Sequence, residues 1–244
     1  MAAALIGSVA ALAGPGWMVL LLTFFLSSVL LGRVGRERKR QRSSAIIGKS
    51  GARDAWQVLA NGAVFTLGAS VAVFGGGAEM QPLGSSAAGA LGALAAATAD
   101  TWGTELGMLS TSAPHSIITW ARLEPGMSGG VSWLGIGATL CGALAIAGLA
   151  VVLRWPPSAA GSAAAGGVVG AMADSVLGAT LQVRRRSIGT GRLTERLRDD
   201  DGTPTTWAGG LPWLDNDAVN FAATIIGAGT ASGLHAMLSR IGSA

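Results

Sequence analysis

Six long segments of this chain carry no Asp, Glu, Lys or Arg: residues 1–32, 55–78, 80–99, 125–153, 155–173 and 218–239. A helix needs roughly 20 predominantly apolar residues to cross a hydrocarbon core, and several of these segments reach that length. Half of the 244 residues are hydrophobic and 12% are charged. A soluble α/β domain, which length alone would allow, is therefore excluded. The pattern predicts an all-α fold: a polytopic transmembrane bundle of about six to seven crossings, forming one domain over residues 1–244.

The single cysteine, Cys141, lies in an uncharged segment and cannot form an intrachain disulfide. Thirty-eight glycines and abundant alanine suit helices whose backbones approach closely in lipid, although compositional bias alone would also enrich them. The N-terminal run lacks a basic leader and ends in a basic cluster, unlike a cleaved signal. It reads as a short first helix to Ala13, a half-span or truncated helix, then a Gly-Pro-Gly break and a crossing over 17–31. The remaining crossings are expected near 56–76, 84–104, 131–153, 161–182 and 217–238.

Joints 75–84 and 154–161 are short, whereas 33–54, 105–130 and 183–216 are longer and polar. Of 17 Lys and Arg residues, eight fall in 33–54, one in 105–130 and six in 183–216. Alternating the crossings places these three loops on one side, and the positive-inside rule makes that side cytoplasmic. Arg36, Arg38, Lys39, Arg40 and Arg42 read as topology signals that also attract anionic lipid. No nucleic-acid-binding fold accompanies them, and no nucleic-acid partner is expected.

With that topology the unusual polar residues gather at one membrane face. Asp54, Gln57 and Asn61 share a face of the third crossing, and Asp100 and Thr104 share a face of the fourth, with Thr101 and Glu105 beside them. Asp174, Gly178 and Gln182 align on the sixth, and Asp217 and Asn220 on the seventh, with Asn216 alongside. "ATADTW" and "AMADSV" look like two versions of one device and hint at an internal repeat.

A carboxylate at the bilayer centre costs about 2.5–3.5 kcal/mol on insertion scales, so Asp100, Glu105, Asp174 and Asp217 need compensation. Ion pairs with Lys49, Arg53, Arg184 or Arg185 would supply it. Capping helix ends suits Asp54, Asp215 and Asp217. A divalent cation held with Asn and Thr oxygens is the third route. Structural readings suffice for any one Asp, while a cluster from several helices favours the metal. "GMSGG" (126–130) runs into a helix and would offer backbone N–H groups to an anion, with a plain turn as the default. Lys49 and Arg53 are further phosphate contacts. His115 reads as a loop residue and His235 lies at the far end of the last helix, so neither is assigned chemistry. The eight tryptophans read as interfacial anchors.

"QVLANG", "ADTWGTELG", "SGGVSWLG", "DSVLGATLQ" and "DNDAVN", in that order, resemble the phytyl-phosphate kinases, a membrane family long catalogued as an uncharacterised domain. The resemblance runs from about Leu31 to Ile226. It implies a Mg²⁺-dependent prenyl-phosphate kinase, with CTP the favoured nucleoside triphosphate and a prenyl monophosphate lipid such as phytyl phosphate as acceptor. Asp100, Glu105, Asp174 and Asp217 would hold Mg²⁺. Lys49, Arg53 and Arg184 would neutralise phosphate oxygens, and Asn61, Asn216 and Asn220 would orient them, with Gln57, Gln182, Ser128, Gly129 and Gly130 completing the phosphate site. The family shows Gly-Thr-Asn-Gly-Gly where this chain has Gly126-Met127-Ser128-Gly129-Gly130. A CTP-dependent lipid nucleotidyltransferase and a transporter or lipid-phosphate flippase are the rival functions. A second copy of the chain, as a homodimer, is a further candidate partner.

Overall fold

The computed structural model describes residues 1–43, 46, 54–75, 84–199 and 201–241. They form α1 (Ala2–Ala13), α2 (Pro15–Arg33), α3 (Arg36–Ser43), α4 (Ala55–Phe74), α5 (Ser85–Gly107), α6 (Trp133–Val152), α7 (Pro157–Thr180) and α8 (Asn216–Ile241). Helices α2, α4, α6, α7 and α8 are long and apolar enough to cross a membrane. This is the all-α membrane bundle that the uncharged segments predict.

Helix α5 forms the axis of the bundle. Every residue from Ala87 to Ala99 is buried, and α2, α4, α6, α7 and α8 pack around it. Alanine and glycine suit that place because small residues let backbones close up in lipid. A Cβ on Gly92 would fall 2.6 Å from the carbonyl oxygen of Gly227 in α8, and one on Gly227 would fall 2.9 Å from that of Gly92. The large apolar side chains point outward instead, including Leu22, Phe25 and Leu26 of α2 and Leu140 and Leu144 of α6.

Helix α1 spans 12 residues, about 18 Å at ~1.5 Å per residue, and runs back along α4 with Ile6 seated over Gly62. At that length it is shorter than the roughly 20 residues a full crossing needs. Beside the break, Trp17 meets Trp155 edge-on at 4.7 Å and Phe65 at 5.8 Å. Both tryptophans are buried, which corrects their reading as interfacial anchors. They pack in the same apolar core cluster as Leu20, Phe24 and Phe65.

Helix ends depart from the expected boundaries for local reasons. Helix α5 continues to Gly107 and carries Glu105 on its last turn. Helix α6 starts at Trp133 because the Ser132 hydroxyl caps it by accepting from Gly135 N. Helix α7 starts at Pro157, whose fixed φ suits a first turn. Asp215 accepts from Ala218 N and so caps α8.

The polar loops also contain short strands that their irregular composition does not announce. β1 (His115–Ser116) pairs antiparallel with β2 (Gly130–Val131). β3 (Arg184–Arg186) lies between β4 (Leu193–Thr194) and β5 (Thr206–Gly209), antiparallel to both. The loops touch one another at one end of the bundle. Arg192 pairs with Glu124 at 2.5 Å, and Glu195 N donates to Ile46 O at 2.9 Å. The Arg42 guanidinium donates to the carbonyls of Met108 and Ser110. The three segments therefore share a side, as charge and alternation require.

Candidate functional site

Two helices bring carboxylates into contact at this end. Asp100 leaves the buried part of α5, Asp174 sits on α7, and their carboxyl groups lie within hydrogen-bonding reach of each other. Asp174 Oδ2 is buried and has no hydrogen-bond partner among the described residues. Two carboxylates in contact repel, and an orphaned carboxylate oxygen in a low-dielectric setting is costly. A proton shared between the two carboxyls, or a bound cation, would each relieve that cost.

Asp174 also feels the charge of Glu195, just beyond β4, which in turn faces Asp215. Burial pushes the Glu195 carboxyl up to about 7; the Ser128 hydroxyl, donating to it, opposes the rise and Asp215 adds to it. Glu195 is a site residue that sequence reasoning missed. Nothing in "RLTERL" separates it from a solvated loop charge; only the fold of β3 and β4 turns it inward.

Beside Glu195 opens a cleft of about 240 Å³. Its polar lining includes Ser128, Thr180, Arg184 and Glu195, and its apolar wall includes Leu123 and Met127. The Arg184 guanidinium makes no hydrogen bond or ion pair with the described residues, whereas Arg185 holds Thr205 and Arg186 holds Gly191. A cleft with one unspent guanidinium and several hydroxyls is suited to an anion with an apolar or ring-shaped body.

The glycine loop is built differently from a phosphate cradle at a helix N-terminus. Ser132 stands between it and α6 and satisfies a first-turn N–H itself. Gly130 N is spent on Met127 O at 3.1 Å. Gly129 has φ 78°, and a Cβ there would fall 2.6 Å from the Ala179 backbone. Its glycine is thus explained by left-handed backbone and close packing on α7. Met127 and Ser128 are the members of the loop that line the cleft, and Ser128 supplies the polar contact, to Glu195.

The other expected residues are dispersed. Glu105 turns to Lys39, 2.6 Å away, so Lys39 is a buried structural partner and not only a topology signal. Gln57 completes a capping box with Asp54, and the Asn61 side-chain amide donates to Gln57 O at 2.9 Å. Asp217 is buried in the first turn of α8, and Asn216 is exposed beside it, with Asn220 a turn further on. Gln182 is buried with Nε2 lacking a partner; its Oε1 lies near Gly178, which packs against Ser128 and Gly129. Gly178 packs on the glycine loop, whereas Asp174 meets Asp100 and Gln182 lies beyond the end of α7, so the three do not form one continuous helix face. Lys49 and Arg53 lie outside the described residues. Among the described residues no group of three or more His, Cys, Asp or Glu is gathered to hold a metal. The four acids thus resolve into an Asp100–Asp174 pair, an ion-paired Glu105 and a separate Asp217.

A bundle of apolar helices, five of them long enough to cross a membrane, with its polar loops gathered at one end defines an integral membrane protein. The chain belongs to the family described as integral membrane protein DUF92, whose model matches residues 1–228. An uncharacterised membrane protein of Methanocaldococcus jannaschii is 31% identical over 214 residues, 88% of this chain and 74% of that protein. Protein PGR of Arabidopsis thaliana is 29% identical over 235 residues, 88% of this chain and 80% of that protein. No solved structure matches the chain.

Proposed function

We propose that this protein is a membrane phosphotransferase that moves a phosphoryl group from a nucleoside triphosphate, with CTP favoured, to a prenyl monophosphate such as phytyl phosphate, giving the diphosphate. The observation that carries this reading is the Asp100–Asp174 pair with its orphaned oxygen, linked through Glu195 to a cleft whose Arg184 makes no ion pair with the described residues. The reading agrees with the order of motifs shared with phytyl-phosphate kinases.

The donor set fits Mg²⁺, a hard cation that takes one or two carboxylates together with substrate phosphates. Asp100 and Asp174 would hold it, and when bound it would neutralise phosphate charge. The chain's own residues supply the rest. Arg184 faces phosphate oxygens and offsets their charge. Ser128 and Thr180 orient the anion from the cleft wall, and Leu123 and Met127 exclude water from it. Transfer between phosphates calls mainly for in-line placement and charge neutralisation, so no histidine is needed. The acceptor's prenyl tail stays in the bilayer while its phosphate reaches the loop end of the bundle, the end this reading takes as cytoplasmic because the basic residues gather there.

The test is direct. Purified protein in detergent is incubated with prenyl monophosphates of different lengths, each nucleoside triphosphate and Mg²⁺, and lipid products are weighed by mass spectrometry. A prenyl diphosphate with release of nucleoside diphosphate supports the proposal. A nucleotidyl-lipid with release of pyrophosphate assigns nucleotidyl transfer instead, and no lipid product from any pair rejects both.

A further inference from the structure

We infer that the exposed flanks of α3, with Arg36 on one side and Arg38 on the other, together with the end of α2, form a binding surface for anionic phospholipid head groups. The stretch from Arg33 to Arg42 carries six basic residues and one acid, but the fold divides them into two groups. Lys39 and Arg42 face the protein: Lys39 Nζ donates to Leu31 O at 2.7 Å and to Glu105 at 2.6 Å, and Arg42 donates to the end of α5 and the residues after it. Arg40 is met by Glu37 at 3.2 Å. Arg33, Arg36 and Arg38 are exposed and make no hydrogen bond or ion pair with the described residues.

Their place selects the occupant. Arg33 ends a helix of membrane-spanning length, and two apolar side chains near it, Leu30 and Val34, are exposed, as expected of a lipid-facing boundary. Three uncommitted guanidiniums therefore stand where head groups of the adjoining leaflet lie. Guanidinium matches phosphate oxygens bidentately, and each basic residue close to an anionic surface contributes on the order of a fivefold preference. The inward pins matter because they hold the short α3, eight residues long, against α5; a free helix of that length would be marginal in water. The result is a fixed array instead of a loose charged tail. This inference does not depend on the phosphotransferase reading.

The experiment reconstitutes the full chain in nanodiscs of phosphatidylcholine with phosphatidylglycerol and counts, by native mass spectrometry, each lipid retained on the ejected protein. The parent should retain phosphatidylglycerol in excess over its share of the bilayer. Arg33→Gln/Arg36→Gln/Arg38→Gln should retain it in proportion to that share, while Arg122→Gln, on another loop, should behave as the parent. If the triple variant fails to insert, Arg36→Gln and Arg38→Gln are measured singly, each with an expected fall of up to about fivefold. Parent protein without enrichment, a triple variant with undiminished enrichment, or unchanged single variants beside a failed triple would each overturn the inference.

Discussion

Lys39 of α3 and Glu105 of α5, 66 positions apart, meet at 2.6 Å in a largely buried ion pair that fastens the first polar loop to the central helix. The Lys39 side chain is 8% exposed and that of Glu105 26%. Removing one partner leaves the other poorly solvated, which is more harmful than losing the pair together. Lys39→Met should destabilise the protein by about 1–3 kcal/mol, the buried-pair cost discounted for the partial exposure of Glu105. Lys39→Met with Glu105→Leu should recover much of that. Thermal unfolding in detergent checks both; a double variant no more stable than the single would show that the ion pair is not what fastens α3.

Asp100→Asn and Asp174→Asn each keep side-chain shape and remove one charge from the contacting pair. Repulsion between the carboxylates falls, so stability should hold or rise slightly, while phosphoryl transfer should drop by at least about a hundredfold if the pair supplies the charge that positions phosphate. Mg²⁺-dependent thermal stabilisation of the parent, lost in both variants, gives a readout independent of turnover. Variants that keep both activity and Mg²⁺ response would return the pair to a structural role.

Glu195 gives a pH dependence of definite sign. Its folded carboxyl titrates at about 7 against an ordinary 4.5, chiefly through burial. The folded state therefore holds a proton that the unfolded chain releases, and stability declines as pH rises from about 4.5 through about 7. Glu195→Gln should flatten that part of the profile and leave the protein more stable above the upper value. Melting temperatures across the range test it, and a parallel decline in the variant would remove Glu195 as the cause.

The arrangement of loops yields a labelling prediction. Thr203→Cys, in a Cys141→Ala background, should resist a membrane-impermeant thiol reagent applied outside intact cells and react after lysis. Labelling without lysis would place the basic loops, and the site with them, on the outer face.

The bundle was legible from the absence of charge because lipid leaves a helix few alternatives, and the common side of the loops was legible from 15 of the chain's 17 basic residues lying in three segments. Helical spacing extended through Asp174 and Gly178 to Gln182, but α7 stops at Thr180, before that last residue. What it could not supply was the rotation of each helix about its axis. Asp100 and Glu105 are neighbours in sequence, yet one meets Asp174 and the other Lys39. Short strands joined by turns carry too little periodicity to be read, so Glu195 stayed hidden in a polar loop. Trp17 and Trp155 were misread because proximity to a segment end says nothing about which way a ring points.

Gly129 tests whether the glycine loop is packing or phosphate chemistry. Its φ of 78° already disfavours any side chain, and a Cβ would fall 2.6 Å from the Ala179 backbone. Left-handed strain contributes about 1–2 kcal/mol and overpacking about 1–3, so Gly129→Ala should cost on the order of 2–4 kcal/mol. The loop would then lift from α7 and carry Ser128 away from Glu195. Ser128→Ala removes the hydroxyl without that strain and should change stability by only about 1 kcal/mol. Met127→Thr, which moves the loop toward the phytyl-phosphate kinase pattern, should be tolerated. Binding of a non-hydrolysable nucleoside triphosphate, measured by its thermal stabilisation of each variant, separates the roles. Weakening in Ser128→Ala at near-parent stability would place the Ser128 side chain at the anion. Parent-like binding in Ser128→Ala, with loss confined to Gly129→Ala in step with its lowered melting temperature, would leave the loop as a packed turn and assign anion contact to Arg184.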